Sequence, residues 1–101
     1  MEILIVITTE SSKTKAFGMA NLLVQKKLAA CVSIKQIFSI FEWNDGIEET
    51  KEFEIIIKSK PELKDDLIDF LKKITSYDVP QILYKKYNAE KKYSDWLNKT
   101  I

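Results

Sequence analysis

The chain predicts an α+β fold of the ferredoxin-like split βαβ kind: an antiparallel sheet with two helices on one face, a long central hairpin and a short C-terminal helix. Three observations predict it. Strand-like and helix-like periodicities alternate in the order βαββαβ plus a tail. Trp43-Asn44-Asp45-Gly46 lies between two long strand-like runs, and Asp-Gly suits the positive backbone dihedrals of a tight hairpin turn. The first two strands are also apolar on both sides, so one layer of helices does not cover them.

Taken in order, Glu2 to Thr8 is a strand rich in isoleucine and valine, with Ile3, Ile5 and Ile7 on one side and Leu4 and Val6 on the other. Thr9 to Ser12 is a hydroxyl-rich connection suited to capping a helix or cradling a small anion. The first helix spans Ser12 to Lys27, its buried stripe made of Ala16, Met19, Ala20, Leu23 and Val24. Ala30 to Trp43 then runs extended and Ile47 to Lys58 returns. At ~3.3 Å per residue the first arm reaches ~45 Å, against a radius of gyration of about 13 Å for a compact chain of this length. The hairpin tip therefore leaves the body. On the outgoing arm Val32, Ile34, Phe38 and Ile40 share one face, while Cys31, Ile37, Phe41 and Trp43 share the other. Ser59-Lys60-Pro61-Glu62 fits a capping box with proline in the first turn, opening a helix with the stripe Leu63, Leu67, Phe70, Leu71 and Ile74. Tyr77 to Pro80 is a loop, Gln81 to Tyr87 the last strand, and Glu90 to Lys99 an amphipathic helix that Tyr93 and Trp96 pin to the body.

Composition excludes several classes of function. The 101 residues are 46% hydrophobic and 31% charged, without repeats or low-complexity runs, and are expected to form a single domain over 1–101. No apolar stretch approaches the ~20 residues that span a bilayer, and no signal peptide is apparent, so neither membrane nor secretion is expected and the cytoplasm is the default. There is one cysteine, Cys31, and no histidine. That removes an internal disulfide, a multi-cysteine metal site and the commonest neutral-pH base together. All 16 basic residues are lysine, so no guanidinium fork is present. With a net charge of +1 and no basic stripe, nucleic acid is not an expected partner.

Several segments carry a family resemblance along essentially the whole chain. They are Thr8-Thr9 after the first strand, Leu28-Ala29-Ala30-Cys31-Val32, Phe41 and Trp43 before the turn, and Ile47, Glu52 and Lys58 on the return arm. Tyr77-Asp78-Val79-Pro80 and the terminal Tyr93 and Trp96 complete the set. Together they resemble the CutA divalent-cation-tolerance family. The resemblance implies a ferredoxin-like homotrimer whose hairpins pair with neighbouring subunits, a role in tolerance of copper and other divalent cations, no catalysed reaction and no required cofactor. It departs at two places. Where the family commonly has Trp, any residue, Gly and Lys, this chain has Trp43-Asn44-Asp45-Gly46; where it frequently has His-Pro, this chain has Thr75-Ser76, so the imidazole often invoked as a copper ligand is absent.

The candidate site follows from that inventory. Cys31 and Asp78 are the candidate metal ligands. Each also has a plainer role, since an unpaired cysteine in a strand is more often a small hydrophobe and Asp78 suits a turn carboxylate. Trp43, Glu52, Lys58 and Tyr77 are candidates for an inter-subunit pocket or interface, with Trp43 an aromatic anchor and Glu52 and Lys58 on one strand face. The function expected is a trimeric, non-enzymatic protein of divalent-cation tolerance. The alternative is a small-molecule-sensing trimer of the nitrogen-signalling type using inter-subunit clefts, which rests on fold analogy.

Overall fold

A computed structural model describes residues 1–101. Strand β1 (Glu2–Glu10) leads through Ser11 and Ser12 into helix α1 (Lys13–Gln25); β2 (Cys31–Trp43) and β3 (Gly46–Ser59) form the hairpin. A single 3₁₀ turn (Pro61–Leu63) opens α2 (Lys64–Ile74), followed by β4 (Leu83–Asn88) and α3 (Lys91–Thr100). The sheet is antiparallel in the order β2-β3-β1-β4.

The alternation read from the sequence decides which side chains meet. Leu4 and Val6 of β1 and Ile55 and Ile57 of β3 point to the helical face, where Ala16, Met19 and Leu23 of α1 and Leu67 and Leu71 of α2 close a core that excludes water. Ile3, Ala30 and Leu97 form a second, smaller cluster under α3. Ile5 and Ile7 face the opposite side and stay partly exposed.

The hairpin is regular throughout. Its ladder runs without a bulge from Cys31↔Lys58 to Trp43↔Gly46, and the longest axis of the molecule is 46 Å. β1 pairs with β3 only over Phe53–Ser59. The remaining arms, from Ile37 to the tip and back to Glu52, therefore form a two-stranded ribbon beyond the third strand. The turn itself corrects one expectation: positive φ falls on Asn44 (51°) and Asp45 (63°), while the glycine stays out of that region and closes the ladder as a strand residue. This is a two-residue turn of the I′ kind, which Asn and Asp tolerate better than other side chains do.

Other boundaries move for identifiable reasons. β1 continues to Glu10, since Thr8, Thr9 and Glu10 are buried against Phe53–Ile55 of β3 rather than forming a connection. β4 begins at Leu83. Ser59 does not cap α2; it ends β3, fully buried, and its hydroxyl donates to the Leu28 carbonyl at 2.7 Å. A buried carbonyl needs a donor, and the serine supplies it. Helix α2 has no side-chain cap and relies on Asp65 and Asp66 in its first turn and Lys72 and Lys73 in its last to match the helix dipole.

At the end of α1, Lys27 adopts φ of 60°. Its amide bonds to the Val24 carbonyl and that of Leu28 to the Leu23 carbonyl, the paired bonds of a Schellman motif built on a lysine instead of glycine. In α3, Ser94 and Leu97 are the buried residues; Tyr93 and Trp96 are 37% and 45% exposed and lie against each other, ring centroids 5.6 Å apart. Spaced three apart, they share a flank of the helix, and Leu97 does the pinning assigned to them.

Candidate functional site

Where β1 ends, the loop after α2 crosses it, and the crossing is fastened by a residue the sequence reading passed over. Glu10 is 1% exposed, and its two carboxylate oxygens accept the amides of Ser11 and Ser76, each at 3.0 Å. A carboxylate that receives backbone donors at both oxygens tolerates burial without a lysine partner. Its signal in the sequence is a lone acid closing an apolar strand before a hydroxyl-rich turn. The same contact answers the anion-cradle expectation at this helix start: the Ser11 amide is taken by Glu10, and the Ser12 hydroxyl accepts the Lys15 amide as N-cap.

Fixing Ser76 fixes its neighbours. Tyr77 reaches the hairpin, its hydroxyl donating to Glu52 Oε2 at 2.6 Å. Burial first, then that hydrogen bond, then the negative charge of Glu52 and Glu10 push the Tyr77 phenol well above the usual tyrosine range. It stays protonated and remains a donor.

Between this loop and the hairpin lies an open cavity of about 400 Å³. Phe41, Trp43, Tyr77 and Val79 make its apolar wall. Thr9, Glu52, Ser76, Asp78 and Gln81 supply its polar groups. Four of the expected site residues, Trp43, Glu52, Tyr77 and Asp78, thus come together, although they arise from two strands and a loop.

The other two do not join them. Cys31 pairs with Lys58 at the start of β2, six ladder positions from the Ile37↔Glu52 pair, or ~20 Å along the strand. Cys31 is partly exposed there and lies near Tyr93, whose phenol is pushed up by burial and, less, by the cysteine. Lys58 sits with it, its ammonium 3.4 Å from the Ser33 hydroxyl. Glu52 and Lys58 share a strand face, as expected, yet occupy opposite ends of it. No group of three or more Cys, Asp or Glu side chains within one chain is arranged to hold a metal ion.

Fold and site define a class: a small ferredoxin-like α+β protein with a protruding ribbon and an acidic, aromatic-walled cleft running along it. The family model described as "CutA1 divalent ion tolerance protein" matches residues 4–100, and the chain belongs to that family. It is 36% identical over 94 residues to the divalent-cation tolerance protein CutA of Archaeoglobus fulgidus, covering 92% of each chain. The similarity to the chloroplastic CutA of Arabidopsis thaliana, 32% over 96 residues, covers 93% of this chain and 53% of that protein. Among solved structures, CutA from Synechococcus elongatus superposes with a TM-score of 0.95 at 30% identity, over 98% of this chain and 89% of that one. The periplasmic divalent cation tolerance protein CutA of A. fulgidus gives 0.92 at 35% identity, over 99% and 98%.

Proposed function

We propose that this chain works as a non-enzymatic, cytoplasmic homotrimer in divalent-cation tolerance, with copper or a similar cation held between subunits by Cys31 and Asp78. One observation carries the assembly. The hairpin arms beyond the third strand expose Phe38 (77%) and Ile40 (70%) on β2 and Ile47 (71%) on β3, and the β2 edge has no neighbouring strand. Such a ribbon leaves backbone groups and apolar side chains available together, which favours strand pairing with another chain. The cation arm is supported by the family's name and by the chemistry of the donors. With neither histidine nor a second cysteine per chain, a divalent ion relies on carboxylates or on residues from several chains, and its affinity is modest.

Sedimentation equilibrium at micromolar concentration is expected to give three times the 11.8 kDa chain mass. A monodisperse monomer would overturn the assembly. Calorimetry with tag-free protein is expected to detect weak Cu(II) binding that falls in Cys31→Ser. Tight binding that survives this change removes the thiolate, and no binding by the parent removes the metal.

A second reading, the small-molecule-sensing trimer, is favoured by the cavity itself. Its volume lies within the ~300–1,000 Å³ common to ligand sites. It also combines an apolar wall with a few polar groups.

A further inference from the structure

The ribbon leaves the sheet at a definite place. The last pair between β1 and β3 is Glu10↔Phe53, and the next rung of the hairpin, Ile37↔Glu52, has no third strand beside it. From that rung outward the two arms run on to Trp43 and Gly46 as a pair alone. An isolated two-stranded hairpin is marginally stable in water, and such ribbons twist more strongly than wider sheets. The ladder by itself therefore leaves the direction of these arms soft.

That same rung is where the body reaches out to the hairpin. The Tyr77 hydroxyl donates to Glu52 Oε2 at 2.6 Å, a short bond to a charged acceptor. It is the only side-chain hydrogen bond or ion pair that joins residues 37–52 to the rest of the chain. Tyr77 is carried by a loop held from two sides. On one, the Thr75 amide donates to the Leu71 carbonyl at 3.0 Å, with Leu71 1% exposed in the core, and the Thr75 hydroxyl accepts the Tyr77 amide at 3.2 Å. On the other, Glu10 at the end of β1 accepts the Ser76 amide at 3.0 Å. Hydrogen bonds thus lead from the core and from β1 through residues 75–77 to Glu52, and they arrive at the first rung that β1 does not support.

Position along the ladder decides what such a bond does. Inside the three-stranded part it would duplicate the support of β1; at the boundary, where the arms are free to swing, one fixed point beside the ladder sets their angle. We propose that residues 75–77 form a brace that fixes the direction in which the hairpin leaves the sheet, with Glu10 and Tyr77 as its positioning residues, and so hold the ribbon ready for strand pairing with another chain. An element already held in its bound direction loses less freedom on association. The proposal rests on the assembly reading for that last step only, since the brace is a property of one chain.

Hydrogen exchange by mass spectrometry on the full chain reads the brace, and sedimentation velocity of the same samples reads its consequence. Tyr77→Phe keeps the ring and removes only the hydroxyl. Exchange over residues 37–52 is expected to rise about three- to ten-fold, the equilibrium equivalent of one hydrogen bond, while the segments holding Val6, Ile55 and Ile57 keep their rates. Glu52→Gln, whose amide oxygen still accepts the phenol, is expected to change exchange less than Glu52→Ala, and Glu52→Ala added to Tyr77→Phe to change it no further. Glu10→Ala, whose side chain makes no hydrogen bond to the ribbon, is expected to speed the same residues through the loop. The concentration at half-assembly should rise in Tyr77→Phe by a similar factor. Unchanged ribbon exchange in Tyr77→Phe, or acceleration spread equally over the core, would overturn the brace. Faster ribbon exchange with assembly unaltered would overturn its part in pairing. A parent that sediments as a monomer removes the assembly reading before any variant is compared, and hydrogen exchange still decides the brace.

Discussion

The root and the tip of the hairpin are made of one continuous ladder, and β2 carries apolar residues along all of it, yet the two ends do opposite things. At the root, Ile55 and Ile57 are 0% exposed beneath α1 and α2, and Val32 and Ile34 of β2 pack beside them. Further along β2, on the same face and in the same register, Phe38 and Ile40 are 77% and 70% exposed. No bulge separates the two regions, although the return arm turns polar at Glu48-Glu49-Thr50-Lys51. The helices simply end, and β1 with them. Cover decides what an apolar side chain contributes: at the root it stabilises the chain that carries it, at the tip it is available to another chain.

That contrast is most exposed to failure at Ile55. Ile55→Ala is expected to cost about 2–5 kcal/mol in urea denaturation, as large-to-small changes in close-packed cores do. Phe38→Ser is expected to shift sedimentation toward the monomer while leaving the far-UV spectrum intact. If Phe38→Ser unfolds the protein, or leaves both assembly and stability unchanged, root and tip do not differ in the way described.

Glu10 sharpens the comparison from the cleft side, because it ties the rigid root to the loop that faces the hairpin. Glu10→Ala removes the acceptor of two backbone amides and should cost about 1–3 kcal/mol. Amide hydrogen exchange at Ser76 should accelerate more than exchange within β1. Uniform acceleration would make Glu10 a general stabiliser and not a fastening for the loop.

Tyr77 gives a smaller effect confined to alkaline pH. Its phenol is pushed up in the folded chain, so above the ordinary tyrosine value of about 10 the unfolded chain loses this proton first. The contribution is complete below that pH and fades as pH rises toward the folded value. A chemical-denaturation series through alkaline pH should therefore fall less steeply in Tyr77→Phe than in the parent. A parent curve parallel to that of the variant would remove the Tyr77–Glu52 hydrogen bond from the account.

The smallest expected change is Lys27→Gly. A lysine held at φ of 60° pays the steric cost of the left-handed region. Glycine relieves it while adding freedom to the unfolded chain, for a net gain of about 0.5–1 kcal/mol. Since α1 covers only the root, the melting temperature should rise without any change in assembly. A loss of stability would mean that the lysine side chain contributes more than the backbone strain it carries.

Element order and face were legible in the sequence because both depend on periodicity, which each segment carries locally. The period-2 pattern of Ile3 to Ile7 and the helical stripe from Leu67 to Leu71 placed those side chains correctly. Local chemistry near boundaries was less legible. Ser59 looked like a cap because serine, proline and glutamate occur at capping spacing, but the Leu28 carbonyl, 31 residues away, takes its hydroxyl. Tyr93 and Trp96 looked like anchors by size, while Leu97 fits the space against Ile3 and Ala30.

The cleft shows the same division. Trp43, Glu52, Tyr77 and Asp78 were each recognisable as candidates, but their convergence depends on a hairpin 13 residues long on its outgoing strand and on a loop held by Glu10. Cys31 and Lys58 were grouped with them by residue type and strand parity, and the ladder carries that pair to the other end of the sheet. The sequence by itself determined the elements, the sheet faces and the presence of a tight turn within Trp43-Asn44-Asp45-Gly46, because alternation and turn chemistry act over a few neighbouring residues, while its centre at Asn44-Asp45 came from the structure. Only the tertiary structure decided which apolar residues are covered, which carboxylates meet, and where glutamate is buried, because those depend on distances between segments that no local pattern encodes.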